Sequence, residues 1–489
     1  SPKSSEKVSV VIICLIIIDL ESKQMSMKVN GGLCVALSVV IGGCSWMGAA
    51  NLPSIQSPTN FVSMNPDMRN IESLPYLAWW QQFNDKTLNG LIESALKNNM
   101  SIGMAISNAE NARGQLTQVE LGWVPGIGLW GGYSTNPALG TPGSFLGLFP
   151  ALSLNIASQI AQTNLAEYGV KYQQSALDGA RLEVISAIVA AYFTLISQQQ
   201  QLVLLKQYSA DLVKLVELSV KKLNIGLQSD IELSQLKSQQ SLIAAQIELT
   251  KHNIQLSSNA INYLLNKNPE QVKIGGNFAQ LDFSKFKPGD LPANVLQNRP
   301  DIKMAEYALQ VSHAKVGIDY SNLFPNIQLD KFVAGVTGNP LVMMPNQFSQ
   351  YTDAYSIWGV EPSIFGAIEA DKSAYAAQVY SYVQTVRRAL KDTDNAFSAN
   401  NRYTKNYQEI ESAYMSLTKH LLLQGNLSQN GILAYPELLQ SKLAVAALSI
   451  LLNQAKLQQA SALVSLYQQL AGGYKYKESE SYNKLKIDG

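Results

Sequence analysis

Few side chains in this 489-residue chain are spaced to do chemistry. Its three histidines, His252, His313 and His420, are scattered, and its three cysteines, Cys14, Cys34 and Cys44, all lie near the N-terminus. A zinc centre needs several such ligands converging at short spacing, so neither a metal nor any other cofactor is expected. No nucleophile elbow, metalloprotease signature or phosphate-binding glycine loop occurs, so the chain does not read as an enzyme. Arg387-Arg388 with Lys391 reads as a solvated helix face. The arrangement that does stand out is a repeated one. Gly226, Glu232, Leu233, Gln235 and Lys237 recur, 205 positions on, as Gly431, Glu437, Leu438, Gln440 and Lys442. Asp230 adds a second acid to the first copy. Acids just past a glycine suit the start of a helix, where they stabilise the dipole by ~0.3–1 kcal/mol; Pro436 before Glu437 fits a first helical turn.

The thiol of Cys44 belongs to a different chemistry. Met27-Lys28 precedes an uncharged apolar run from Gly31 to Gly43 that ends Ile41-Gly42-Gly43-Cys44. A positive start, a short apolar stretch and small residues before a cleavage point describe a secretory signal. The cysteine directly after them resembles a bacterial lipobox, in which the thiol takes a diacylglycerol and the new amino terminus is acylated. At about 0.8 kcal/mol per buried CH₂, several chains anchor firmly. Ser45 follows instead of Asp, which by the same resemblance favours the outer membrane. Val8 to Ile18 is a second apolar run, and residues 1–24 read as sequence upstream of a true start at Met25 or Met27. Past Cys44 no uninterrupted apolar stretch reaches the ~20 residues a spanning helix needs.

With 37 basic and 36 acidic side chains, the chain lacks the cationic excess of a nucleic-acid binder. At 46% hydrophobic it is too apolar for a disordered polyanion. Charged residues make up 15% against a usual ~25%, with Gln, Asn and Ser filling polar positions.

The elements that must carry these residues come in two copies. Residues 99–129 align without a gap to 299–329: Ile102, Met104, Ala105, Pro125, Ile127 and Leu129 recur as Ile302, Met304, Ala305, Pro325, Ile327 and Leu329. A repeat of this length is a half-molecule duplication, not a solenoid unit. No proline falls between Pro150 and Pro269, between Pro362 and Pro436, or after Pro436, which permits very long helices. Ile188, Leu195, Leu202, Val216 and Leu223 share a seven-residue spacing broken by Ser209. A companion set runs Ala191, Gln198, Leu205, Leu212 and Ser219, and Leu233, Ile247, Ile254 and Ile261 continue the pattern around Gln240. Such heptads predict coiled-coil-like packing along a narrow, partly polar seam. They fit a hairpin that turns at Leu223-Asn224-Ile225-Gly226, with a helix from about Ala157 to Leu223 on the order of 100 Å long. Gly169 and Gly179 do not interrupt it.

Between the helices, Ile127 to Tyr133, Leu152 to Ile156, Ile327 to Val336 and Ala354 to Val360 alternate with the period of strands. Gly and aromatics within them suit an outer-membrane barrel. Trp130 and Trp358 lie in or beside these strands, as interface anchors or core residues. Four strands cannot close a channel, and open edges are not tolerated in lipid, so several chains must each supply a part. The heptads and lipid anchor alone would also allow a poreless coiled-coil scaffold, which the strands oppose.

Several motifs together resemble the TolC-like outer-membrane efflux family, in its lipoprotein branch of OprM- and NodT-like factors. Trp79-Trp80-Gln81-Gln82-Phe83-Asn84-Asp85 with Leu88, Leu91 and Ile92 matches its opening helix. Leu291-Pro292, Asn298-Arg299-Pro300-Asp301-Ile302, Ala305-Glu306 and Leu323-Phe324-Pro325 match its central motif. Gly226 to Gln235 and Asn259 to Pro269 match the helix turn and a later helix end. The match runs from about 72 to 474.

The resemblance implies a mainly α fold with a small β part. Duplicated helical hairpins would form an α-barrel tunnel, and four strands per chain would enter a trimeric 12-stranded outer-membrane β-barrel. It divides the chain into a removed segment 1–43, a lipid-anchored extension 44–71, a first repeat 72–285, a second repeat 286–474 and a loose polar tail 475–489. It implies a homotrimer working with a periplasmic membrane-fusion adaptor and an inner-membrane transporter of the RND type, in contact with outer-membrane lipid and not with nucleic acid. The expected function is passive conduction of small toxic compounds, drugs or metal ions to the exterior, the alternative being a type I protein-secretion duct. By the same resemblance the turns at Gly226 and Gly431 converge at a periplasmic tip. There Asp230, Glu232, Glu437, Leu438 and Gln440 are the candidate gate. Three copies of Glu437 would form a cation-selecting ring, although Gln440 stands where the family often has a second acid. Leu438 and Leu439 would complete a constriction or simply pack.

Overall fold

The computed structural model describes residues 49–53, 76–134, 143–227, 229–272, 277–283, 298–337, 348–357, 359 and 361–475. Cys44, Trp358 and the tail beyond Lys475 lie outside the described residues, as does most of the expected lipid-anchored extension.

The first copy runs α1 (Lys86–Asn98), α2 (Met100–Glu120), β1 (Gly126–Ser134), β2 (Gly143–Leu154), α3 (Ile156–Asn224) and α4 (Asp230–Leu264). The second runs α5 (Pro300–Ser321), β3 (Asn326–Thr337), β4 (Phe348–Ile357), α6 (Ser363–Gln429) and α7 (Tyr435–Gln469). From α2 onward the elements of the first copy recur in order in the second, while α1 has no counterpart among the described residues. α2 and α5 begin at 100 and 300, and β1 and β3 at 126 and 326. α3 and α6 have 69 and 67 residues, and α4 and α7 have 35 each. The proline-free stretch does form one helix of about 100 Å, and Gly169 and Gly179 leave it unbroken.

Both hairpins turn in the same way. Gly226 and Gly431 take the left-handed conformation (φ 74° and 76°) that side chains resist. At the first turn Gly226 N donates to Leu223 O (2.9 Å) and Leu227 N to Lys222 O (2.8 Å). At the second, Gly431 N donates to Ser428 O (3.0 Å) and Ile432 N to Leu427 O (2.9 Å). These paired bonds satisfy the last helical carbonyls of α3 and α6.

The four strands form one antiparallel sheet in the order β1-β2-β3-β4, leaving β1 and β4 as edges. Two strands differ from those read in the sequence, β2 at both ends, since it already begins at Gly143, and β4 in position. Alternation through Leu152, Leu154 and Ile156 suggests one strand, but β2 stops at Leu154 because Asn155 caps α3. Its side chain accepts from Ser158 N (3.0 Å) and donates to Ser321 O (2.9 Å), fixing the entry to α3 against the end of α5. β4 lies earlier than Ala354–Val360, since its register is set by β3, which pairs Asn326 with Ile357 and Gly335 with Phe348. On β1 the side chains of Ile127, Leu129 and Tyr133, all on one face by strand alternation, are 76%, 70% and 69% exposed.

The four long helices lie side by side in the order α4-α3-α7-α6, each packed against the next. Above Gln201 the core is thick, because α1, α2 and α5 cover α3. Trp79 stacks on Tyr467 (4.6 Å), Phe83 meets Phe193 edge-on (5.0 Å), and Leu88, Ile92, Ile185 and Ile188 are fully buried among them. Gly473 (φ 87°) lies so close to Trp80 that a Cβ would sit 2.5 Å from its ring. The Trp79-Trp80 pair is thereby locked against the turn that follows α7. Below Gln201 the wall is one helix thick. There Leu205, Tyr208, Leu212, Leu215 and Ile243 meet Leu439 and Leu443. The seam follows the companion heptad set; Leu202, Val216 and Leu223 are only half-buried, because α3 packs on α4 and α7 at once and its buried stripe drifts across the heptad. α3 and α7 are long and apolar enough by composition to cross a membrane, but most of the α3 window is buried in this chain's own packing.

Candidate functional site

The tip is built from two helix starts, α4 and α7, each entered through its glycine turn. Asp230 and Glu232 occupy the first turn of α4 and are exposed. Glu437 occupies the first turn of α7, its N donating to Ala434 O (3.1 Å), and is likewise exposed. Glu232 and Gln440 line one cleft of about 550 Å³ between α4 and α7, floored by Tyr208 and Ser219 of α3. Leu438 and Leu439 are buried, Leu439 in the core with Leu212 and Leu443. In this chain Leu438 lines a cleft against Leu421 and Leu422 of α6. Beside the acids, Ile225, Leu227, Ile231 and Ile432 are exposed, so the tip alternates apolar and acidic surface.

Higher on the wall, sequence reasoning missed a buried amide contact that ties the two copies together. Asn453 of α7 has Ser197 O (3.1 Å), Ser197 Oγ (3.3 Å) and Gln201 Oε1 (2.9 Å) of α3 within reach of its Nδ2. The polar interruption at Gln198 in the companion heptad was the available signal, three residues from the group that makes the bond. The central motif also acquires a role. Arg299 grips Asp301 with Nε and Nη2 (3.0 and 2.9 Å) while Nη1 donates to Gln469 O and Oε1 (2.9 and 2.8 Å), joining α5 to the end of α7. Asp85 caps α1 through Thr87 N and Leu88 N and accepts the Tyr192 hydroxyl (2.5 Å). Lys456 donates to Ala279 O (2.6 Å), holding the 277–283 segment on α7; burial pushes its ammonium pKa down, opposed by Glu411 and Asp282.

None of this forms a reaction centre. Among the described residues no group of His, Cys, Asp and Glu could hold a metal ion. His313 packs edge-on to Tyr375 (5.4 Å) with its pKa lowered by burial, while His252 and His420 are exposed. Arg387, Arg388 and Lys391 are exposed, as a solvated face requires. Burial raises the Glu306 carboxyl, and Lys303 opposes the shift. The backbone of Trp130 runs in β1, pairing with Gly147.

A thin helical wall continued by an open four-stranded sheet is the architecture that the comparisons also find. Residues 91–267 match the family described as outer membrane efflux protein. Nodulation protein T of Rhizobium leguminosarum bv. trifolii is 23% identical over 467 residues, 89% of this chain and 96% of that protein. Cation efflux system protein CusC of Escherichia coli O6:H1 is 23% identical over 461 residues, 90% and 98% of the two chains. The open state of the Neisseria gonorrhoeae MtrE outer membrane channel superposes with a TM-score of 0.75 at 21% identity, covering 87% of this chain and 98% of that one. The chain is thus similar to outer membrane efflux proteins, through the family model over residues 91–267 and through these relatives over most of its length.

Proposed function

We propose that the chain is one third of a trimeric outer-membrane duct that conducts solutes passively across the periplasm and the outer membrane. The observation that carries this reading is the sheet. β1 and β4 end it with unpaired edges, and its β1 face exposes Ile127, Leu129 and Tyr133. In lipid an open edge leaves backbone groups unsatisfied at several kcal/mol each, so the strands must close with those of sister chains. Twelve strands would make the barrel, and twelve long helices its periplasmic continuation. Energy would come from an inner-membrane transporter, reached through a periplasmic adaptor at the tip; the efflux role of the relatives supports those partners, with the RND type as the finer proposal.

At the tip, Asp230, Glu232, Glu437, Leu438 and Gln440 form the gate in this reading. Three Glu437 carboxylates around one axis would attract cations. Single-channel recording in planar bilayers tests both levels. Wild-type trimers should conduct and prefer K⁺ to Cl⁻, and Glu437→Ala should reduce that preference or raise closed-state leakage. Trimers that never conduct would refute the duct, whereas unchanged selectivity and leakage in Glu437→Ala would leave the residue a helix-start acid. The anchor is proposed at Cys44. Labelling with an alkynyl palmitate should tag the wild type and vanish in Cys44→Ala; equal incorporation would place the lipid elsewhere.

A further inference from the structure

We propose that each subunit lays an apolar rail along the inner wall of the duct, formed by Leu242, Leu249, Leu256 and Tyr263 of α4, and that the cargo is an organic solute with an apolar or aromatic face. The proposal rests on the duct reading above.

The four residues repeat every seven positions and cover about 32 Å of helix at ~1.5 Å per residue. They are 63%, 60%, 51% and 78% exposed. An exposed apolar stripe of this length on a helix at the edge of the wall invites the reading that a sister subunit covers it. The internal duplication argues otherwise. Counting 205 positions on, the stripe falls on Ala447, Gln454, Ser461 and Gln468 of α7. In this chain α7 already has both lateral neighbours, α3 and α6, and Ala447, Gln454 and Ser461 are still exposed. α4 has α3 on one side and gains in the trimer the α6 of a sister chain, the lateral contact that α7 already makes through α3. Its stripe therefore stays uncovered.

The same comparison gives the direction it faces. Lys456, Ala460, Leu463 and Tyr467 of α7 pack under the segments 76–83 and 277–283. Gln454 stands two residues from Lys456, about 200° around the helix, and so points away from those covering segments. Leu249 of α4 and Gln454 of α7 line one cleft of about 280 Å³ whose floor includes Gln198 of α3. That is the open side of the wall, the side a tunnel encloses. One half of the duplication thus presents leucines to the bore, and the other presents amides, a hydroxyl and a methyl group.

A hydrated metal ion gains nothing from leucine. A solute with an apolar face gains in proportion to the area it covers, and a row of equivalent, shallow contacts allows entry without trapping, as conduction demands.

The test is current block in planar bilayers by tetraphenylphosphonium, a cation sheathed in aromatic rings, against tetramethylammonium at equal charge. Wild-type channels should be blocked by the first far more strongly than by the second. The Leu242→Gln/Leu249→Gln/Leu256→Gln variant should lose about tenfold in tetraphenylphosphonium block, with its K⁺ current on the same channels reporting that the duct is open. Gln454→Leu, which extends the apolar surface onto α7, should strengthen block. Equal block of conducting wild-type and triple-variant channels would overturn the rail and leave the duct standing. Loss of the trimer in the triple variant would place the leucines between subunits and overturn it too. Wild-type trimers without any current would remove the duct itself.

Discussion

Asn453 shows how a single side chain sets the relation between the two halves. Its amide is 7% exposed and meets acceptors on Ser197 and Gln201 of the other repeat. Leucine at this position would keep the volume but take from the buried Gln201 Oε1 the donor it has here, at a cost of about 1–3 kcal/mol. Urea unfolding of Asn453→Leu should show that loss, and a stability equal to wild type would mean that water enters and the contact is dispensable. The sequence announces a polar break in the heptad near Gln198 but not the partner, because the bond crosses 252 to 256 positions of chain. Leu438 carries a similar lesson. Its type suits both a constriction and a core, and its burial beside α6 in this chain depends on a contact the local sequence does not show. The exposed acids Asp230, Glu232 and Glu437 were legible because a glycine turn and a helix start fix their surroundings locally.

At the scale of elements, the helices were nearly all written in the sequence. Absent prolines fixed the first long helix to within a residue at each end, and the repeated glycines at a 205-residue offset placed both turns. The strands were legible as strands but not in extent. Alternation does not reveal that Asn155 caps a helix, nor that β3 sets where β4 begins. The duplication also predicts a contact that no single chain contains. Asn453 faces Ser197 within the chain; the equivalent positions on the free edges are Glu248 of α4 and Arg402 of α6, both exposed. When sister edges meet, these oppositely charged groups should face each other. Glu248 already reaches Lys251 on its own helix (2.7 Å) and would be shared. Glu248→Arg or Arg402→Glu alone should lower the thermal stability of the trimer, by ~0.2–1 kcal/mol at each of three contacts. Combining the two should restore it. Native mass spectrometry with stepwise heating reads this directly, and a double variant no better than the singles would show that the edges meet in another register.

As a whole molecule the chain is a strip of wall. Its upper part is anchored by the aromatic core around Trp79, Phe83, Phe193 and Tyr467. Its lower part is one helix thick, and its sheet has two edges and no second layer among the described residues. In the proposed duct such a wall would bury its remaining groups by closing on copies of itself around water. The measurement that tests this most directly is electron cryomicroscopy of the detergent-solubilised protein viewed down its long axis. The account predicts three subunits with twelve long helices ringing a water-filled bore. A monomer, or an assembly whose helices pack into a dry centre, would contradict it.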